Sequence, residues 1–189
     1  MATTRFTSRD LELLPLEDGK RYEIIDGELY VSRQPQLGHQ VVCNNAGRVL
    51  GNWNQAGERG LVAQAPGLIF ADDDDVAPDL VWVSRERLPR VLGADGKFHG
   101  APELVIEVLS PGAANIRRDR EIKLGLYGRR GVDEYWVVDW GARIVDIYRP
   151  AGGALTHTAT LRGEDSITSP LLPGFASPVS AFFAGLALI

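Results

Sequence analysis

Two carboxylates stand where buried strands are expected. Asp79 lies in Ala77-Pro78-Asp79-Leu80-Val81-Trp82-Val83, and Glu107 in Glu103-Leu104-Val105-Ile106-Glu107-Val108-Leu109-Ser110. An ionised Glu107 inside such a run needs a cation, a metal or several donors. Two carboxylates on adjacent strands can hold a hard divalent cation, which takes oxygen ligands. An edge strand with one side in water accounts for Glu107 equally well. Pro78-Asp79 also fits a strand start followed by a turn cap.

Further along, Asp119, Lys123 and Tyr127 fall at i, i+4 and i+8 and share one helix face. Lys123 could reach back to the end of the preceding strand. In phosphoryl chemistry it would offset developing negative charge or position a water. The plainer reading is an Asp–Lys helix pair. Glu23, in Tyr22-Glu23-Ile24-Ile25-Asp26-Gly27-Glu28, is either a third acidic group at the site or a strand-surface residue. His39 opens a helix and reads as a cap or surface residue before a base. Asp72 to Asp75 reads as a solvated acidic turn. Cys43 reads as core. No Gly-rich phosphate loop, Gly-x-Ser-x-Gly elbow or His-Glu-x-x-His helix is present.

The elements that must position these groups follow from periodicity. Ser8 can cap a short helix to about Leu14, stopped by Pro15. Asp26-Gly27 between two apolar runs signals a hairpin. Leu37, Val41, Val42, Ala46, Val49, Leu50 and Trp53 predict a helix over 38–55. One or two strands cover 61–70, broken at Pro66-Gly67. Leu80 to Val83 and Glu103 to Leu109 are buried strands, and an amphipathic helix covers 115–130. Glu134 to Asp139 and Arg143 to Arg149 form strands joined by Trp140-Gly141-Ala142, and Leu155 to Leu161 forms another. The apolar tail, Leu171 to Ile189, packs back on the core. Hairpins and helix crossovers together imply one α/β domain with mixed strand directions.

The chain has 189 residues, enough for a substantial core. Its 44% hydrophobic and 24% charged residues are ordinary for a globular protein. No apolar run suits a membrane span, and Met1-Ala2-Thr3-Thr4-Arg5-Phe6 has no signal-peptide core. One cysteine excludes an internal disulfide framework, so a reducing cytoplasm is expected. A net charge of −5 argues against nonspecific coating of nucleic acid. Arg117, Arg118, Arg120, Lys123, Arg129 and Arg130 could still form a local basic surface, or simply a solvated helix face.

As an ordered set, these motifs are more specific than their parts. The set runs from Tyr22–Glu28 through Gly38-His39-Gln40 and Ala77-Pro78-Asp79-Leu80 to Pro102–Pro111. It continues with Asp119…Lys123…Tyr127 and Gly131–Asp139. It resembles the Uma2, or DUF820, family of restriction-endonuclease-like proteins over residues 8 to about 150, and the tail fits the family's ending. The resemblance implies the PD-(D/E)XK nuclease fold, an α+β mixed sheet flanked by helices, with an N-terminal hairpin. It implies phosphodiester hydrolysis with Mg²⁺ or Mn²⁺ held by Asp79, Glu107 and the Val108 carbonyl. Glu23 is then an additional acidic group, with Asp119 and Tyr127 supporting Lys123. The superfamily lysine two residues after the second acid is replaced here by Leu109, so Lys123 is the matching candidate. Nucleic acid, DNA foremost, is the implied partner, and a homodimer the implied assembly. The rival readings are a degenerate nuclease fold used for binding or assembly, and a hydrolase of small phosphorylated molecules.

Overall fold

The computed structural model describes residues 5–14 and 19–189. Its helices are α1 (Ser8–Leu13), α2 (Leu37–Gln55), α3 (Leu88–Val91), α4 (Ala113–Arg117) and α5 (Lys123–Arg130). A π-helical segment, Arg118–Ile122, joins α4 to α5, and 3-10 turns occupy Val179–Phe183 and Leu186–Leu188. The strands are β1 (Lys20–Ile25), β2 (Glu28–Arg33), β3 (Gly60–Gln64), β4 (Leu68–Ala71), β5 (Asp74–Val76) and β6 (Leu80–Ser84). After them come β7 (Leu104–Val108), β8 (Glu134–Asp139), β9 (Ile144–Ala151), β10 (Ala154–Arg162), β11 (Ser166–Ile167) and β12 (Ser177–Pro178).

The main sheet has the order β10-β9-β8-β7-β6-β3. Within it β7 and β8 run parallel and their neighbours antiparallel, so the expected mixed sheet is present. The parallel pair needs a crossover, and the helix from α4 through α5 supplies it. A second sheet, β2-β1-β5-β4, carries the hairpin. Its turn places Asp26 (φ 51°) and Gly27 (φ 74°) in the left-handed region, as a two-residue type I′ turn requires.

The main sheet is buried on both faces, and the strand period of two divides its residues between them. Leu104, Ile106 and Val108 of β7 meet Val42, Ala46 and Leu50 of α2 and the tail residues Phe175, Val179 and Phe182. Val105 and Leu109 point the other way, toward Leu126 and Tyr127 of α5 and toward Ile25, Leu68 and Val76 of the second sheet. Glu107 has their parity and therefore enters that second core. With β6 on one side and β8 on the other, β7 is central, and the edge-strand reading of Glu107 does not hold.

Other local expectations are also corrected. Thr7 rather than Ser8 caps α1: the Asp10 carboxylate accepts from both the Thr7 N–H (2.7 Å) and its hydroxyl (2.8 Å). Pro15 lies outside the described residues. The run 61–70 does form two strands broken at Pro66-Gly67, as expected, with β3 in one sheet and β4 in the other. Only Asp72 and Asp73 form a turn, while Asp74 and Asp75 enter β5 and are buried. Arg130 satisfies Asp74, which is why a carboxylate is tolerated there. Among the described residues, no helix is long and apolar enough to cross a membrane.

The tail closes the α2 face of the sheet. Phe182 is fully buried, with its ring centroid 6.4 Å from that of Trp136. Phe182→Ala is expected to cost about 3–5 kcal/mol, measured as a fall in denaturant midpoint with an unchanged m-value.

Candidate metal centre

The register of β6 with β7 sets the geometry. Leu80 pairs with Ile106, so continuing one step places Asp79 opposite Glu107 on the same face. The two carboxylates and Val108 line one small cleft of about 20 Å³, shared with Arg21, His39, Ser110 and Arg118. A cleft of that size admits one water or one small ion.

Each carboxylate is held from a different element. The Val108 N–H donates to Asp79 Oδ2 at 2.9 Å, and His39 Nε2 meets the same oxygen at 3.1 Å. Arg21 of β1 donates to Asp79 Oδ1 and to the Ala77 carbonyl, both at 3.1 Å. Glu107 Oε1 takes the Lys123 ammonium at 2.8 Å and the Tyr127 hydroxyl at 2.7 Å. Lys123 Nζ also lies 2.8 Å from Glu23 Oε1 and 4.0 Å from Asp119 Oδ1. Glu23 Oε1 accepts from the Ala77 N–H at 3.0 Å. Its Oε2 is buried without a hydrogen-bond partner among the described residues, and the Arg118 Nε lies 3.9 Å from it.

The π segment helps build this cluster. Its extra residue per turn turns Arg118 and Asp119 inward, with the Arg118 Nε donating to Asp119 Oδ1 at 3.0 Å. Tyr135 of β8 donates to the Asp119 carbonyl at 2.8 Å, fixing the segment to the sheet.

Four carboxylates (Glu23, Asp79, Glu107 and Asp119) thus meet three cations (Arg21, Arg118 and Lys123). Burial pushes the Asp79 carboxyl up, but the His39 hydrogen bond and the Arg21 and Lys123 charges outweigh it and hold the group low. Glu23 is also held low: burial is overcome by Lys123 and Arg118. Glu107 goes the other way. Its burial, with Asp79, Asp119 and Glu23 adding to it, exceeds the pull of Lys123 and lifts the group to about 8. Burial lowers the Lys123 ammonium, yet Glu107, Glu23 and Asp119 raise it further, so it stays charged. With Glu107 ionised, one more positive charge beside it would balance the cluster.

The lining fits a hard divalent cation: facing carboxylate oxygens and room for one ion. A softer set also occurs, since donor atoms of His39, Cys43 and Asp79 lie within 4.8 Å of one another. Burial, with Asp79 and Glu107 nearby, raises the Cys43 thiol, and only a thiolate ligates well.

Glu23, Glu107, Lys123, Asp119 and Tyr127 all meet, and Asp79 joins them across the cleft. His39 is neither a cap nor a surface residue: it is buried in α2 against Asp79. Gln36 is the residue at the N-cap. Arg117, Arg120, Arg129 and Arg130 do not form a free basic surface, because they pair with Glu121, Asp146, Asp26 and Asp74. Arg21 went unread in the sequence. Strand alternation places it on the face of Glu23, two residues on, which was the available signal.

Comparison with known proteins bears on this geometry. The model of the Uma2 family, described as "Putative restriction endonuclease", matches residues 8–180. The crystal structure of "a putative nuclease belonging to DUF820" from Anabaena variabilis ATCC 29413 superposes with a TM-score of 0.76 at 18% identity, covering 95% of this chain and 98% of that one. The type IIG restriction endonuclease BpuSI superposes with a TM-score of 0.41 at 14% identity, covering 77% of this chain and 15% of that one. No curated protein matches the chain.

The raised Glu107 group has a measurable consequence. Its folded value, about 8, lies above its ordinary 4.5. Its contribution to stability is therefore complete below the ordinary value and is lost as pH rises through about 8. Metal-free protein should lose thermal stability from about pH 4.5 to about pH 8, and Glu107→Gln should flatten that loss. Melting curves of the two across this window check it; parallel pH dependences contradict it.

Proposed function

The chain belongs to the Uma2 family, and from that premise we propose that it hydrolyses phosphodiester bonds of nucleic acid with a hard divalent cation, Mg²⁺ or Mn²⁺. The observation that carries this reading is Asp79 facing Glu107 across a one-ion cleft, in a cluster that lacks a balancing cation for an ionised Glu107. Asp79, Glu107 and the carbonyl of Val108 would hold the ion. When bound, such an ion lowers the pKa of a coordinated water and polarises the scissile phosphate.

The remaining residues position and balance. Lys123 is fully buried, so it acts on Glu107 and Glu23 rather than on bulk solvent. It fixes Glu107 Oε1 and offsets negative charge where the phosphate would sit. Tyr127 donates to the same oxygen, and burial beside Glu107 keeps its hydroxyl protonated. Asp119 orients Arg118, and Arg118 partners Glu23. Arg21 and His39, which line the cleft, orient Asp79 as groups behind a metal ligand do. Leu109 needs no lysine in this scheme: it is buried in the α5-facing core, and the ammonium arrives from Lys123 instead.

Cleavage of single- and double-stranded DNA and RNA with Mg²⁺ or Mn²⁺, against EDTA, tests the reading. Asp79→Asn and Glu107→Gln should each lower the rate by at least about 100-fold. Lys123→Met should also destabilise the fold, by about 3–5 kcal/mol, because it strands buried carboxylates. A wild-type protein that cleaves none of these substrates with either ion contradicts it.

A further inference from the structure

The metal cleft does not end at the carboxylates. It shares Ser32, Arg33, Pro35 and Ser110 with an open depression of about 400 Å³. That depression shares Gln36 with a third, of about 520 Å³, which ends against Trp140 and Arg143. Shared lining residues link the three in series from Asp79 and Glu107, past the end of β2 and the start of α2, to the β8–β9 turn.

Three properties of this path point to one occupant. The first is charge. Beyond the metal pair, the charged side chains lining the two outer depressions are Arg33 and Arg143, and no carboxylate side chain lines either, in a chain of net charge −5. Both arginines are exposed and, among the described residues, neither forms an ion pair. The second is the start of α2, a 19-residue helix whose cap residue Gln36 makes no side-chain cap hydrogen bond. Its first N–H groups are left for an anion.

The third is Trp140. Its indole N–H donates to the Leu109 carbonyl at 2.9 Å, which ties it to the end of the strand carrying Glu107. Its ring lies over Gly38 so closely that an added Cβ there would stand 2.7 Å from it. The ring is thus a fixed, partly exposed platform on the path.

We propose that this path is the binding groove for one unpaired nucleic-acid strand, with phosphates on Arg33, the α2 N-terminus and Arg143, and a base stacked on Trp140. The inference rests on the hydrolase reading only for the direction in which the strand is threaded. A duplex needs many phosphate contacts on a broad basic surface, and the helix cations that might have formed one are paired with carboxylates. A stacking platform serves only a base that is out of a duplex.

Fluorescence anisotropy in EDTA, with labelled oligothymidylate of about 12 nucleotides and a duplex of the same length, tests the groove without any cleavage. The wild type should bind the single strand at least about 10-fold more tightly than the duplex. Arg33→Gln and Arg143→Gln should each reduce the log–log salt slope by about 0.7, with melting temperatures unchanged. Trp140→Leu should weaken binding by roughly 10-fold. Should that variant fail to fold, the two arginine variants decide. Equal or tighter duplex binding, or arginine variants that bind as wild type does, overturns the proposal. A protein that binds the strand in this way yet cleaves nothing with Mg²⁺ or Mn²⁺ overturns the hydrolase reading and leaves the groove standing. One that cleaves duplex with both arginine variants binding as wild type does the reverse.

Discussion

Lys123 carries an ammonium into the interior with no solvent exposure, and much of the surrounding architecture keeps that charge satisfied. A lone buried ammonium would be driven neutral. Here Glu107 comes from the central strand, Glu23 from the second sheet and Asp119 from the π segment, all converging on one nitrogen. Removing any one of them leaves buried charge without its partner, which costs far more than a surface ion pair contributes. The cluster therefore couples the hairpin, the sheet and the crossover helix, and it is also what places Glu107 at the cleft.

The cluster lacks a balancing cation for an ionised Glu107. Asp79 and Glu107 face each other across a space sized for an ion, and Glu107 is the group whose ionised form suffers. A divalent cation there would relieve it. The shared fold with the DUF820 protein, at 18% identity, means that this fold tolerates wide sequence change.

Much of this was legible in the sequence because it is local. The Asp26-Gly27 turn, the 3.6-residue pattern of α2 and the carboxylate inside the β7 run each follow from a few neighbouring residues. The spacing of Asp119, Lys123 and Tyr127 announced a common face. What was hidden depends on contacts distant in sequence. Asp74 and Asp75 look like turn residues until β5 pairs with β1 and Arg130 reaches across. His39 looks like a helix opener until α2 packs over the cleft and brings it to Asp79, 40 residues on. The π segment leaves no mark in the apolar pattern. Arg21 was within reach of alternation once Glu23 was assigned.

The central claim is that Asp79 and Glu107 form one divalent-cation site. A crystal soaked in Mn²⁺ and measured at the manganese absorption edge tests it most directly. The account predicts one anomalous peak between the two carboxylates and within reach of the Val108 carbonyl, absent from Asp79→Asn crystals. A cleft without a peak, or a peak on His39 and Cys43 instead, would contradict it.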